Sequence, residues 1–474
     1  MNTTTPLLEY QTKAVHKMLP MRVGGLFMDA GTGKTLVTIE IVRQRLSRLS
    51  NVIYFCPVSL KETVRRELLK HTNLTNDDIY VFDDKTDIAT ITPAMWYIVG
   101  IESMSGSQRM MLCANALINE RSMVVVDESS YIKGHKSTRT QRITTMAERA
   151  RYRLILTGTP LSQGVVDLYA QMRFLSWRIL GYRSYYSFAR NHLEYSDKYP
   201  GRIVGSHNVG YLAARVAPYC YQVTKEKCLD LPGKLYTTRW YRMTDDQKEW
   251  YERAKWEMYE WAEKHESDWG ALAVFRLFGA LQQITCGFWN RHFDDGTSEL
   301  ITFPHERLNV FADTVEEIPS SEHVVVWSKY RHNIDEIVAM LSEKYGADAV
   351  AQFHGGLSEA ARNAEIDRFR RQARFLVATQ SSGGHGLTLN EATNHIFFSN
   401  GYKYSERSQA EDRSYRIGQT KPVTYIDIVC SGSIDDRIDE ALSRKANALR
   451  IFRHKIEQIK DKRSAEIRKL VADL

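Results

Sequence analysis

The residues best suited to chemistry lie in the segment 28–35, which reads Met-Asp-Ala-Gly-Thr-Gly-Lys-Thr. Gly31 and Gly33 let the backbone curl so that successive N–H groups, with a helix N-terminus behind them, point at one anion. Lys34 would then reach the β- and γ-phosphates of a nucleoside triphosphate, and the Thr35 hydroxyl would coordinate Mg²⁺. The segment is therefore predicted to be a phosphate-binding loop.

The flanking sequence has the pattern that such a loop requires. Residues 24–27 read as a short buried strand, and residues 36–42 are apolar at helical spacing. Met28 stands where the full G-x-x-x-x-G-K-[ST] pattern has its first glycine. The alternative, an ordinary strand-to-helix turn that carries a lysine by chance, accounts less well for G-x-G-K-T between a strand and a helix.

Two adjacent carboxylates form the second chemical group. Asp127 and Glu128 follow the apolar run 123–126, which is typical of a buried strand. Asp127 would hold Mg²⁺ through water, and Glu128 would orient or deprotonate an attacking water. The alternative is a solvated pair in a loop. The turn 157–161, Thr-Gly-Thr-Pro-Leu, follows another strand and could sense a γ-phosphate beside this pair.

The segments that would position these groups alternate between strand and helix. This alternation favours a parallel α/β sheet with ligands at the carboxyl ends of its strands.

Residues 167–283 change to helical runs rich in Tyr and Trp, interrupted by an extended piece at 235–241. A second α/β unit is predicted from about Pro304. Near its end lie Arg413 and Arg416, which would share one face if that segment is helical and could act as arginine fingers on a γ-phosphate. Surface salt bridges are the alternative for isolated arginines.

The 474 residues suit two or three domains, with 43% hydrophobic and 26% charged residues. Without a signal-peptide pattern or an apolar run of membrane-spanning length, a cytoplasmic location is expected. The six cysteines show no C-x-x-C pair, which disfavours structural zinc or a disulfide framework.

Net charge is +7, and residues 173–220 hold seven Lys/Arg against two Asp/Glu with ten interleaved aromatics. Such clustering suits a polyanion, although solvated basic helices explain the charge equally well.

Taken in order, the motifs resemble those of superfamily-two helicases, specifically the Swi/Snf type of DNA-dependent ATPase. The most specific match is Asp412-Arg413 with Arg416-Ile417-Gly418-Gln419. The box 127–133 resembles the family's Asp-Glu-x-His-x-Ile-Lys with Ser130 in place of histidine, and Thr388 stands where asparagine is usual. The other matching segments are Tyr10-Gln11, 31–35, Cys56-Pro57, 157–161, 231–234, 281–284, 353–355, 383–387 and 409–419.

The resemblance implies an α/β fold of two RecA-like parallel-sheet lobes with ATP between them. We expect the first lobe at 1–172 and a mostly helical insertion at 173–300, whose strand near 235–241 returns to the first lobe. The second lobe is expected at 301–445, and a basic C-terminal helix at 446–474.

For the site, the resemblance implies catalysis by Lys34, Asp127, Glu128, Arg413 and Arg416 with ATP and Mg²⁺, the metal being held by Thr35 and Asp127. Gln11, whose amide could pair with an adenine edge, is expected to bind ATP together with Gly31, Thr32, Gly33, Lys34, Thr35, Gly386 and Gln409.

The expected function is an ATP-driven motor on DNA, duplex DNA being favoured and held mainly through its phosphates, with a role in replication, recombination or repair. The alternatives are unwinding of RNA or forked DNA, a non-catalytic nucleic-acid-binding scaffold, and a P-loop kinase of small molecules.

Overall fold

Two parallel sheets dominate the computed structural model, which describes residues 1–162, 164–197, 201, 203–228, 231–264, 271–293, 295–384, 387–416 and 418–446. Of residues 258–264, 271–275, 359, 383 and 384 only the backbone is described. The chain divides into two compact units; Met1–Asp230 lies in the first and Leu231–Arg444 forms the second. The predicted C-terminal helix at 446–474 lies outside the described residues from 447 onward.

The first unit is built on a seven-stranded sheet in the order β3-β4-β2-β5-β6-β1-β9, with every pairing parallel. Its strands and the antiparallel hairpin β7–β8 are β1 (Val23–Met28), β2 (Asn51–Cys56), β3 (Ile79–Val81), β4 (Trp96–Gly100), β5 (Ser122–Asp127), β6 (Tyr152–Thr157), β7 (Leu193–Tyr195), β8 (Ile203–Ser206) and β9 (Cys220–Val223). Its helices are α1 (Glu9–Met18), α2 (Lys34–Arg45), α3 (Lys61–His71), α4 (Ser103–Gly106), α5 (Gln108–Leu117), α6 (Thr138–Ala147), α7 (Val166–Leu175), α8 (Trp177–Leu180), α9 (Tyr185–His192), α10 (Val209–Val216) and α11 (Lys225–Cys228).

The second unit has a six-stranded parallel sheet in the order β10-β17-β16-β13-β15-β14. Its strands, with the antiparallel hairpin β11–β12, are β10 (Lys234–Tyr241), β11 (Phe288–His292), β12 (Ser298–Thr302), β13 (His323–Ser328), β14 (Val350–Phe353), β15 (Phe375–Thr379), β16 (Ala392–Phe397) and β17 (Val423–Cys430). Its helices are α12 (Asp245–Lys264), α13 (Ala271–Thr285), α14 (Glu306–Glu317), α15 (Arg331–Tyr345), α16 (Glu359–Arg371) and α17 (Tyr404–Glu411), and residues 434–446 are also helical.

Central strands are buried on both faces, which explains their unbroken apolar sequences. On β13, Val324 and Val326 join one apolar cluster, and Val325 and Trp327 join another on the opposite face. Both faces of the sheet are therefore apolar, and helices cover each of them. The predicted α/β class with two parallel-sheet lobes is confirmed. None of the described helices is long and apolar enough to cross a membrane.

The expectation that the strand near 235–241 returns to the first lobe is wrong. β10 pairs in parallel with β17 along all eight of its residues, and so forms an edge of the second sheet. At the end of β10, the Tyr241 hydroxyl donates to the Thr285 carbonyl at 2.7 Å and accepts from Arg307 Nε at 2.7 Å. Arg307 is buried and ion-paired with Asp435, so the strand is fastened to the second unit by polar contacts as well as by its ladder.

The expected boundaries also shift. The region 173–300 contains β9, which extends the first sheet, and β10, which begins the second. The division between the two units therefore falls at Asp230–Leu231 rather than at both ends of a separate insertion. Short strands such as β9 carry too little periodic sequence to indicate which sheet they join.

Candidate nucleotide site

The predicted phosphate loop connects β1 to α2. Gly31 and Gly33 have φ of 80° and 82°, in the left-handed region that favours glycine, and Gly33 is the N-cap of α2. Lys34 Nζ donates to the carbonyls of Met28 at 3.0 Å and Asp29 at 3.3 Å, so its ammonium lies over the loop. Backbone curl, lysine and helix N-terminus thus come together at one end of the strand, as an anion site requires.

Gln11 contacts the loop itself. It is only 4% exposed, its Oε1 accepts from Leu8 N at 2.9 Å, and its Nε2 donates to the Thr32 carbonyl at 3.0 Å. The Tyr10 hydroxyl donates to the same carbonyl at 3.1 Å. Both ends of the amide expected to face an adenine edge are therefore engaged by backbone, and Gln11 holds the loop in shape.

This packing makes Gly33 sensitive to substitution. A Cβ at Gly33 would overlap Gln11 Nε2, and the left-handed backbone is strained for any L side chain by about 1–2 kcal/mol. We expect Gly33→Ala to weaken binding of a fluorescent ATP analogue by about tenfold or more. Gly106→Ala is the matched control, because a Cβ there meets open space and its φ is not positive. Unchanged affinity in Gly33→Ala would contradict the loop's role.

Asp127 and Glu128 lie at the carboxyl end of β5. Asp127 Oδ2 accepts from the Tyr54 hydroxyl at 2.9 Å, and Asp127 Oδ1 accepts from Glu128 N at 2.9 Å. Burial raises the pKa of Asp127, and the nearby Lys34 ammonium opposes that rise. Glu128 has φ 48° and ψ 58°, a left-handed conformation that is costly for glutamate and typical of functional sites.

Tyr54 is a site residue that the sequence did not reveal. It lies in β2, beside β5, with its ring fully buried, and the nearby Thr35 side chain favours ionisation of its phenol. The phenol therefore lies near Thr35 and donates to Asp127. Burial raises the pKa of Tyr54 well above its ordinary value, so the phenol stays protonated and can donate. A tyrosine in a central aliphatic strand needs a polar partner, which is the signal that could have found it.

The turn Thr157–Leu161 packs directly on the phosphate loop, since a Cβ on Gly158 would lie 3.3 Å from Ala30 N. Buried hydrogen bonds join it to Ser129, the residue that follows the carboxylate pair. Ser129 Oγ donates to Gln171 Oε1 at 2.6 Å, and Gln171 Nε2 donates to the Pro160 carbonyl at 2.9 Å. The proximity expected between this turn and the carboxylates is thus observed, with Gln171 as the connecting residue.

Arg413 and Arg416 belong to the second unit. α17 ends at Glu411, and residues 412–416 form turns, so the condition that both arginines share a helix face is not met. Arg413 is buried, its carbonyl accepts from Leu389 N at 2.9 Å, and Arg416 Nη1 donates to the Leu387 carbonyl at 3.2 Å. Gln409 lies half-buried in α17, and Gly386 lies outside the described residues.

Buried His395 fixes the turn that carries Arg413. Its Nδ1 accepts from Trp327 Nε1 at 2.9 Å, so its Nε2 carries the proton and donates to Ser414 Oγ at 2.7 Å. Ser414 Oγ in turn donates to the Leu389 carbonyl at 2.6 Å. Burial lowers the pKa of His395 to about 3, so this hydrogen-bonded chain uses the neutral ring.

Because these hydrogen bonds need the neutral His395 ring, the stability of the folded protein is predicted to depend on pH. Below pH 6.5 the unfolded state protonates His395 while the folded state does not, so stability falls as pH decreases through 6.5 and the loss levels off near 3. At pH 5 this amounts to about 2 kcal/mol. We expect urea midpoints to fall less between pH 7 and 5 in His395→Gln than in the parent. Parallel losses in the two proteins would contradict the assignment.

Thr35, Asp127 and the loop fit a magnesium nucleotide. Mg²⁺ prefers one or two carboxylates together with substrate phosphates and waters to a cage made only of protein. Among the described residues there is no cluster of three or more His, Cys, Asp or Glu side chains that could hold a metal alone. The Thr35 hydroxyl and the buried Asp127 carboxylate, both near the Tyr54 phenol, provide the matching set of donors next to a curled loop that a Cβ would fill.

Comparisons with known proteins find relatives that are named as helicases. Among curated relatives, the putative ATP-dependent helicase/translocase YwqA of Bacillus subtilis is 23% identical over 68% of this chain and 34% of its own length. The human DNA annealing helicase and endonuclease ZRANB3 is 22% identical over 91% of this chain and 40% of its own length. The chain thus spans about a third to two-fifths of the length of these relatives.

A solved structure, the Sulfolobus solfataricus SWI2/SNF2 ATPase core in complex with dsDNA, matches with a TM-score of 0.44 at 23% identity and covers 99% of this chain and 97% of that one. The model of the helicase conserved C-terminal domain matches residues 306–418. The model of the SNF2-related domain matches residues 10–287, more than half of the sequence. The chain therefore belongs to the SNF2-related family, within the Swi/Snf type of superfamily two.

Proposed function

We propose that this protein is a nucleic-acid-stimulated ATPase that couples hydrolysis of Mg-ATP to movement on duplex DNA, in replication, recombination or repair. The observation that carries the proposal is the group of residues at one edge of the first sheet. There the phosphate loop follows β1, the carboxylates Asp127 and Glu128 lie at the end of β5, and Tyr54 of β2 donates to Asp127. Membership of the SNF2-related family supports the same chemistry.

In the proposed reaction, Lys34 and the N–H groups of the loop bind the β- and γ-phosphates. Glu128 orients a water and accepts its proton as the water oxygen attacks the γ-phosphorus. The bond from the γ-phosphorus to the β–γ bridging oxygen breaks, and ADP and phosphate are formed. Thr35 and Asp127 would hold Mg²⁺, which neutralises charge on the phosphate oxygens.

Arg413 and Arg416 are proposed to stabilise the charge that develops on the transferred phosphoryl group. The Arg413 backbone is held by Leu389 N and by the hydrogen bonds through His395 and Ser414, and the Arg416 guanidinium donates to the Leu387 carbonyl. Nucleic acid that favours closure of the lobes on ATP would then stimulate hydrolysis, which is how an ATPase of this kind becomes a motor.

The test is the ATPase rate of the purified protein with no nucleic acid, duplex DNA, single strands, forks and RNA at one fixed salt concentration. We expect many-fold stimulation that is greatest with duplex DNA and lost in Lys34→Ala. Equal rates with and without every nucleic acid would overturn the motor proposal. Preferential stimulation by forks or RNA would replace duplex movement with unwinding, and phosphoryl transfer to a metabolite would indicate a kinase.

A further inference from the structure

The first unit contains a cavity that shares no residue with the phosphate loop. It is lined by α6, α7, α9 and the loop before α6. Its volume is about 380 Å³, within the range of about 300–1,000 Å³ found for small-ligand sites. The residues that matter for its chemistry are His135, Lys136, Tyr169, Arg173, Tyr185 and Tyr186. None of them belongs to the motifs that the proposed ATPase reaction uses.

The aromatic side chains of this cavity are held rigidly. The rings of His135 and Tyr185 are stacked, with centroids 3.6 Å apart and planes within 12°. Tyr169 meets the edge of Tyr185 at 5.4 Å and packs on buried Phe188 at 5.3 Å. Burial, helped by Lys136, lowers the pKa of His135, so its ring is neutral at pH 7. A preformed platform of this kind binds a flat ring at little entropic cost.

Next to the platform, Tyr186 is 76% exposed and stands at 70° to Tyr185. A large aromatic ring left in solvent at the mouth of a cavity is an available stacking surface, since every nucleobase has a π-face.

The charges around the cavity are predominantly positive. Lys136, Arg173 and Arg183 line it together with one carboxylate, Glu148, which lies 3.5 Å from Arg173 Nη2. Lys136 and Arg183 are exposed, and Arg183 rests over the Trp177 ring at 4.5 Å, which fixes its direction. Cations beside aromatic rings are the combination that tracks a single-stranded backbone while its bases stack.

We propose that this cavity captures an unpaired nucleobase of single-stranded nucleic acid, with the flanking phosphates on Lys136, Arg173 and Arg183. A paired base keeps both faces stacked within the duplex and cannot enter, so the site distinguishes single strands from duplex. It gives a motor of this kind a means of holding a displaced or unpaired strand.

The experiment measures binding of a fluorescent 12-nucleotide single strand without ATP, so the result does not depend on ATPase activity. We expect Tyr186→Ala to raise Kd by about 5-fold to 100-fold, the range for loss of one stacked base, with no change in the salt dependence. Lys136→Glu should weaken binding. It should also reduce the steepness of the plot of log binding constant against log salt concentration by about 0.7 or more, as expected for loss of one phosphate contact. Trp256→Ala and Lys85→Glu, an exposed aromatic and an exposed cation elsewhere, are the matched controls.

The position of the bound single strand on the protein is tested in a separate experiment. A single strand carrying 5-iodouracil should photocrosslink to Tyr185 or Tyr186, as mapped by mass spectrometry, and an equal concentration of the same sequence as duplex should not compete. Parent-like binding and crosslinking by both variants would overturn the proposal. So would equal competition by duplex, or displacement by an acidic peptide, which would indicate a peptide site. Both variants alter exposed side chains, and their thermal midpoints should match the parent's.

Discussion

Replacing Glu128 by glutamine is expected to lower the rate of ATP hydrolysis by about 10²–10⁴-fold, the usual contribution of a general base. Glutamine has almost the same shape but cannot accept the proton of the attacking water. The left-handed backbone at position 128 and the hydrogen bond from its N–H to Asp127 do not depend on the carboxylate and should persist. ATP binding should therefore change little while turnover falls.

The measurement is steady-state ATPase rate at saturating ATP and duplex DNA, with nucleotide affinity from a separate titration. Glu120→Gln is the matched control, because Glu120 is an exposed glutamate just before β5, at the opposite end of the strand. Unaltered turnover in Glu128→Gln would contradict the assignment of Glu128 as the group that accepts the proton of the attacking water.

The site residues that were predictable from the sequence are those fixed by local pattern. G-x-G-K-T after a buried strand specifies both the turn and the helix N-terminus behind it, and all of it is observed within 23–45. Asp127 follows the apolar run 123–126 and ends β5, whose six residues are all buried, and Glu128 comes directly after it. In both cases a few adjacent residues determine the conformation.

Residues whose role depends on tertiary pairing were not predictable in the same way. Tyr54 acquires its role only because β2 lies beside β5, and nothing in the segment 51–56 specifies that neighbour. β10 is an edge strand in which only one of the eight residues is buried, so its sequence does not determine which sheet it joins. Gln11 is engaged by a loop carbonyl 21 residues away, which its own sequence context does not indicate.

The arginine turn is an intermediate case. The spacing of Arg413 and Arg416 would place both on one face of a helix, but the helix ends before them, at Glu411. The turn is instead stabilised by His395 and Ser414, which lie 19 residues apart and meet only after β16 has joined the second sheet. Long-range hydrogen bonds thus override the local helical preference that the segment shares with α17.

Replacing Arg413 by lysine is expected to lower the maximal ATPase rate by about 10³-fold or more, since an arginine that stabilises a phosphoryl transition state contributes about 10³–10⁵ in kcat. Lysine keeps the charge and the aliphatic stem but lacks the planar fork that binds two phosphate oxygens at once. The turn should survive, because Leu389 N bonds to the Arg413 carbonyl and Ser414 Oγ to the Leu389 carbonyl, neither of which the substitution removes.

The decisive comparison is between kcat and ATP affinity in Arg413→Lys, with Arg371→Lys, an exposed arginine at the end of α16, as the charge-matched control. A large loss of kcat with a small change in affinity and an unchanged thermal midpoint would mean that the guanidinium acts in the transition state. A loss of kcat accompanied by a clear fall in the thermal midpoint would mean that Arg413, which is 8% exposed, serves the packing of the second unit. Because the phosphate loop and Arg413 belong to different units, only the first outcome would make hydrolysis depend on both lobes, and that dependence would let a nucleic acid control the proposed ATPase.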